Sequence, residues 1–181
     1  MGLRLKKTVV MVGMMGAGKT AVGHSLARRL DVPFVDSDDE IEKAANMSIP
    51  EIFARDGEAF FRRKESQVIA RLLNNGCCVL STGGGAFLSA ENRAMISQRG
   101  VSVWLNAGLD LLWLRVRHKQ TRPLLRTADP RRTLEQIHAA RAPFYALADL
   151  TVEVRANYSV ADTTGAVISA LRSRPDVLEM E

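Results

Sequence analysis

The chain has 181 residues, 46% of them apolar and 25% charged, with a formal net charge of +5. That length suits one domain with a full core, and the composition is that of an ordinary soluble globular protein. No apolar run approaches the roughly 20 residues of a membrane helix, and the scattered Lys and Arg residues form no nucleic-acid recognition pattern, so the positive balance reads instead as that of a small enzyme for anionic substrates.

The opening MGLRLKKTVVMVGMMGAGK has a basic head and an apolar stretch. The stretch breaks at Gly16, runs into Lys19 and has no small-residue cleavage pattern, so it reads as a first strand of a cytoplasmic protein rather than a leader. Lys6 stands where a myristoylation signal needs Ser or Thr. Thr8–Val12 is a β-branched run bounded by glycine, the pattern of a buried strand. Lys19–Leu30 then turns helical, with Val22, Leu26 and Leu30 on one stripe. Residues 33–35 form a brief second strand that ends in DSDDE, and helical stretches follow over 39–46 and 49–74, the second broken near Asp56-Gly57.

A third strand is predicted over 77–81. It starts at Cys77 and Cys78, whose adjacency makes a poor structural disulfide and which read as small strand residues in a reducing compartment. Helix over 90–98, strand over 101–105, helices over 109–117 and 132–147, strand over Leu150–Val154 and helix over 160–172 complete the pattern. The tail 175–181 is expected to be mobile. Strands separated by helices predict a parallel sheet covered on both faces. The fold class is therefore α/β: a three-layer α/β/α P-loop domain with a five-stranded parallel sheet.

The P-loop is carried by Gly13-Met14-Met15-Gly16-Ala17-Gly18-Lys19-Thr20, which matches G-x-x-x-x-G-K-[ST] between a strand and a helix. Glycines let backbone N–H groups converge on phosphate oxygens, and the helix N-terminus faces the same anion. Lys19 adds charge for the β- and γ-phosphates, and the Thr20 hydroxyl is a magnesium ligand in such loops. The sequence thus predicts a nucleoside triphosphate site.

Carboxylates at the carboxyl end of the second strand, Asp36 and Asp38, stand at the sheet edge where ligands bind. Two apart in an extended segment, they would point the same way; helix capping is the plainer reading of these acids. The later strand VLSTGGG lacks the acid that P-loop proteins usually carry there. Asp36 can supply it from the neighbouring strand, with Ser81 touching a metal-bound water, while Gly83, Gly84 and Gly85 offer backbone N–H groups and room for a small substrate.

Taken together and in order, GMMGAGKT, DSDDEIE, SIPEIFARDGEAFFRRKE, STGGGA, RPLL and RAPFY resemble the shikimate kinase family over nearly the whole chain, to about Val154. The resemblance implies a small monomeric kinase that transfers the γ-phosphoryl group of ATP to the 3-hydroxyl of shikimate, with Mg2+. It implies that Lys19 and the loop hold ATP, that Thr20 and Asp36 serve the metal, Asp36 through water, and that Asp38 contacts the acceptor hydroxyl as the candidate base. Arg62 and Arg141 would grip the shikimate carboxylate beside Gly84, Arg122 would belong to a mobile lid over about 112–127, and Arg115 and Arg155 would frame the adenine.

Guanidinium forks suit a carboxylate, although on the bare sequence Arg62 reads as part of a solvated helix face and the stretch 108–127 as an exposed loop. A single kinase domain over 1–174 is expected. A gluconate or nucleotide kinase is the nearer alternative, and a nucleotide-binding regulator without catalysis the more distant one. The retained Lys19, Asp36, Asp38, Arg62, Arg122 and Arg141 argue against the latter.

Overall fold

The chain begins with a strand that the hydrophobic pattern does not announce, β1 (Leu3–Leu5), and continues through β2 (Thr8–Val12), α1 (Lys19–Leu30), β3 (Phe34–Asp36), α2 (Ser37–Ala45) and α3 (Ile49–Leu73). β4 (Val79–Ser81), a short 3-10 turn (Ala86–Leu88), α4 (Ala90–Arg99), β5 (Gly100–Ala107) and α5 (Leu109–Val116) follow. α6 (Pro130–Tyr145), β6 (Leu150–Val154), α7 (Val160–Leu171) and β7 (Leu178–Met180) complete it. The computed structural model describes residues 2–118 and 125–181.

Five of the strands make one parallel sheet in the order β3-β4-β2-β5-β6, as the alternation of strands and helices predicts. β2 lies at its centre with all five residues buried, so the strand that delivers the P-loop is fully enclosed. α1 and α7 pack on one another over one side of the sheet, and α4 packs on β5 with α3 beside it. Because the chain order reverses at β2, with β4 on one side and β5 on the other, the crevice that holds ligands in such sheets opens at the carboxyl end of β2.

Two local features shape that crevice. α2 starts at Ser37, two residues earlier than the sequence reading, because Asp36 caps it: its Oδ1 accepts hydrogen bonds from the backbone of Asp38 at 2.9 Å and Asp39 at 3.2 Å. Asp36 and Asp38 therefore do not share an extended segment; one ends a strand and the other stands in the first helical turn. α3 bends at Gly57, whose φ of 84° is outside the helical range, at the break expected near Asp56-Gly57.

The tail differs from the expectation of mobility. β7 pairs antiparallel with β1 in the register Leu3 to Met180, Arg4 to Glu179 and Leu5 to Leu178. Val177 and Leu178 are 0% and 4% exposed, and the Lys6 N–H donates to the Val177 carbonyl at 2.7 Å. Two apolar residues in a charged setting suffice because their partner strand supplies the backbone bonds from the opposite end of the chain.

Candidate active site

The loop after β2 turns through Gly16 and Gly18, whose φ values of 84° and 97° lie in the left-handed region. Gly16 is also constrained by space, since a Cβ there would stand 2.8 Å from Val116 Cγ1. The turn is closed by the Ala17 N–H on the Met14 carbonyl at 3.1 Å, and the Lys19 ammonium folds back to donate to the Gly13 carbonyl. Thr20 stands exposed in the first turn of α1, a helix that opens without a side-chain cap. Its first N–H groups and positive end therefore face the loop, the arrangement that receives phosphate. Arg115 reaches across from α5 and donates to the carbonyls of Gly16 at 3.1 Å and Ala17 at 3.3 Å, so it braces the loop directly.

Beside the loop stand the two acids. Asp36 keeps one carboxylate oxygen on the α2 backbone, and in the parallel ladder it lies across from Ser81, which in turn lies across from Met11. Burial pushes the Asp36 carboxyl above its usual value against the pull of the backbone bonds. Asp38 is pushed further, to about 6, by burial and then by the neighbouring Asp36 charge, with Lys19 opposing. Its Oδ1 is buried and has no hydrogen-bond partner among the described residues, an uncomfortable state for a carboxylate unless a ligand group completes it. The hydroxyl of Ser37, also buried, likewise has no partner among the described residues.

The triple glycine explains itself sterically. A Cβ on Gly83 would lie 2.8 Å from Asp38 Oδ1, one on Gly84 would lie 2.6 Å from Arg141 Nη1, and one on Gly85 would lie 2.5 Å from Arg62 Nη2. Each glycine makes room for one functional side chain, drawn from α2, α6 and α3 in turn. The acid and two of the arginines singled out in the sequence thus converge on three consecutive residues, which brings one carboxylate and two guanidinium groups together around the glycine loop. That arrangement suits a small hydroxy acid.

Glu65 belongs to the same cluster and escaped sequence reading. It is 1% exposed and accepts a hydrogen bond from Arg62 Nη1 at 3.0 Å, while Glu58 lies 3.5 Å from Arg62 Nη2. Burial raises the Glu65 carboxyl, and the Arg62 charge and hydrogen bond pull it back. Its spacing from Arg62, three along a helix, is the signal that was available, but such a pair reads as a surface salt bridge until the fold buries it.

Arg155, by contrast, follows β6 with its guanidinium 5.6 Å from the Tyr158 ring centroid. Arg122 and the centre of the expected lid lie outside the described residues. Among the described residues no cluster of three or more His, Cys, Asp or Glu side chains is set to hold a metal by itself. No described helix is long and apolar enough to cross a membrane.

The chain is similar to known proteins over nearly its whole length. The family model described as shikimate kinase matches residues 15–172. A shikimate kinase of Ruegeria pomeroyi is 68% identical over 176 residues, covering 97% of this chain and 90% of that protein. One from Cereibacter sphaeroides is 66% identical, covering 98% of this chain and 89% of that protein. Among solved structures, a shikimate kinase from Acinetobacter baumannii in complex with shikimate superposes with a TM-score of 0.83 at 37% identity, covering 92% of this chain and 93% of the other.

Proposed function

The chain belongs to the shikimate kinase family, and we propose that it carries out the family reaction, from ATP and shikimate to ADP and shikimate 3-phosphate, with Asp38 as the base at the acceptor hydroxyl. The observation that carries this assignment is the convergence of Asp38, Arg141 and Arg62 on Gly83, Gly84 and Gly85. Two forked cations bind the acceptor carboxylate and so turn a hydroxyl toward the partnerless oxygen of Asp38. That hydroxyl oxygen bonds to the γ-phosphorus as the bridge to the β-phosphate breaks, and its proton passes to Asp38. With a pKa of about 6, Asp38 is ionised at neutral pH yet a better base than an ordinary aspartate.

Transfer of a phosphoryl group depends on position and on neutralising spread charge rather than on covalent help from the protein. The loop amides, the α1 N-terminus and Lys19 supply this, and the family resemblance assigns a further share to Arg122, which lies outside the described residues. Thr20 and Asp36 suit Mg2+ because both offer hard oxygen donors, and Asp36 has one oxygen beyond the pair of backbone bonds at Oδ1. Bound there, the ion would neutralise the β- and γ-oxygens of ATP. Ser81, adjacent to Asp36 in the sheet, fits a water-mediated contact to it. Arg115 and Arg155 frame the adenine, Arg115 also bracing the loop.

The same reading has a single kinase domain acting as a monomer in the cytoplasm, without nucleic acid. The scattered basic charge and the two free cysteines support it. The deciding assay is Mg2+-dependent ADP release with shikimate, gluconate, AMP or no acceptor. Release that requires shikimate is the expected result; release with another acceptor overturns the roles given to Arg62 and Arg141.

A further inference from the structure

Tyr145 closes α6 and is 1% exposed, with its ring centroid 6.0 Å from that of Trp104 on β5. A phenylalanine would fill that space as well, and a buried hydroxyl is costly unless it is paired. The hydroxyl is paired: Tyr145 Oη donates to the Gly84 carbonyl at 2.6 Å. Arg141 stands one helical turn earlier on the same face of α6, and it is the side chain that a Cβ on Gly84 would strike. One residue of the glycine loop is therefore held at its carbonyl by Tyr145 and faced by Arg141. Two residues on, buried Asn92 donates Nδ2 to the Ala86 carbonyl at 2.9 Å and fixes the loop from the α4 side.

We propose that Tyr145 is a positioning residue for the acceptor: its hydroxyl pins the Gly84 peptide to α6, and so fixes the separation between Arg141 at Gly84 and Arg62 at Gly85. The inference rests on the reading of these two arginines as the carboxylate fork. That hydrogen bond ties α6 to the loop. Arg141 sits on α6 and Arg62 on α3, two helices that meet the glycines from different sides, so their spacing is set by how each helix docks on the loop. A fork whose prongs drift loses the paired geometry that distinguishes a carboxylate from any other anion. ATP, held by the loop after β2 and by α1, does not depend on this contact.

The test is Tyr145→Phe, which keeps the ring and removes the hydroxyl, and with it both the bond to the Gly84 carbonyl and the hydroxyl's contact with the Arg141 guanidinium. The expected result is a rise of about five- to tenfold in the KM for shikimate, the worth of one hydrogen bond, with the KM for ATP within about twofold of wild type. The rise in Tm produced by saturating shikimate should shrink in the variant, while that produced by Mg-ATP stays. An unmoved shikimate KM overturns the proposal, including when the unliganded Tm falls, since the bond then serves folding alone. Equal rises in both KM values overturn it as well. A wild-type chain that releases no ADP with shikimate would sink the acceptor reading itself; an active wild type matched by Tyr145→Phe sinks only the positioning role.

Discussion

Asp38 and Gly83 face one another so closely that a methyl group on Gly83 would stand 2.8 Å from one carboxylate oxygen and 3.0 Å from the other. Gly83 is not among the described residues of positive φ, so alanine there is allowed by the backbone and excluded only by its neighbour. Gly83→Ala should therefore fold, with Tm within a few degrees of wild type, and push the Asp38 carboxylate aside. A displacement of the order of 1 Å at a reacting group lowers turnover about a hundredfold. Steady-state kinetics with a melting curve check this; a variant with wild-type kcat would mean that Asp38 is free to move without cost.

Asp38→Asn separates stability from catalysis. The raised carboxyl binds its proton more tightly in the folded chain than in the unfolded one, so its stabilising contribution is full below about pH 4 and is lost as pH rises through about 6. At neutral pH the fold carries a buried charge that costs up to about 3 kcal/mol on the difference between 3.8 and about 6. The asparagine variant should lose at least about a hundredfold in turnover. It should gain several degrees in Tm at pH 7.5 and little at pH 4. A lower Tm at pH 7.5 would show that the charge is compensated by groups other than Lys19.

With Asp38 in the proposed role of base, the same carboxyl should set the acid limb of activity. Protonated Asp38 is no base, so kcat/KM for shikimate at saturating Mg-ATP should fall about tenfold per pH unit below about 6. Bound magnesium and phosphate will move the midpoint, but the limb should vanish from the residual activity of Asp38→Asn. An unchanged limb in that variant assigns it to another group.

What could be read in advance divides along physical lines. The P-loop was legible because its chemistry is made by backbone, and backbone geometry demands glycine at fixed spacing. The parallel sheet was legible because β2, buried on both faces, is written as an unbroken apolar run. The triple glycine was read as a source of N–H groups and of room for substrate. Its closeness to Asp38, Arg141 and Arg62 depends on three helices distant in sequence, which no local pattern encodes. β1 and β7 failed for the same reason, since each is too short to signal a strand without the other. Glu65 looked like one half of a helix-surface pair, and only the packing of α3 against the rest of the molecule buries it.

Glu65 should act through Arg62 alone. Glu65→Ala removes the buried carboxylate and leaves the guanidinium beside the exposed Glu58 and the Phe61 ring, and the shikimate KM should rise about tenfold while the ATP KM stays. Glu65→Gln retains an acceptor for Arg62 Nη1 and should recover most of that loss. Failure of Gln to rescue, with both KM values raised, would make Glu65 a folding residue.

The paired termini give the last prediction. β1 and β7 join at the start of β2, and the P-loop, the acids and the glycine loop gather at the carboxyl end of the sheet. Deleting residues 176–181 removes the buried Val177 and Leu178 and the Asp176 carboxylate, which Arg174 at 2.8 Å and Lys7 at 3.1 Å hold well below the usual range. Burial of two aliphatic side chains of this size is worth about 3 to 5 kcal/mol. For a chain of this length that corresponds to a fall in Tm of roughly 10 °C. Both KM values should hold, because the site residues among the described ones gather at the other end of the sheet. Calorimetry and kinetics on the truncated chain decide it: an unchanged Tm would mean that β7 contributes nothing in solution, and altered KM values would mean that the two ends of the sheet are coupled.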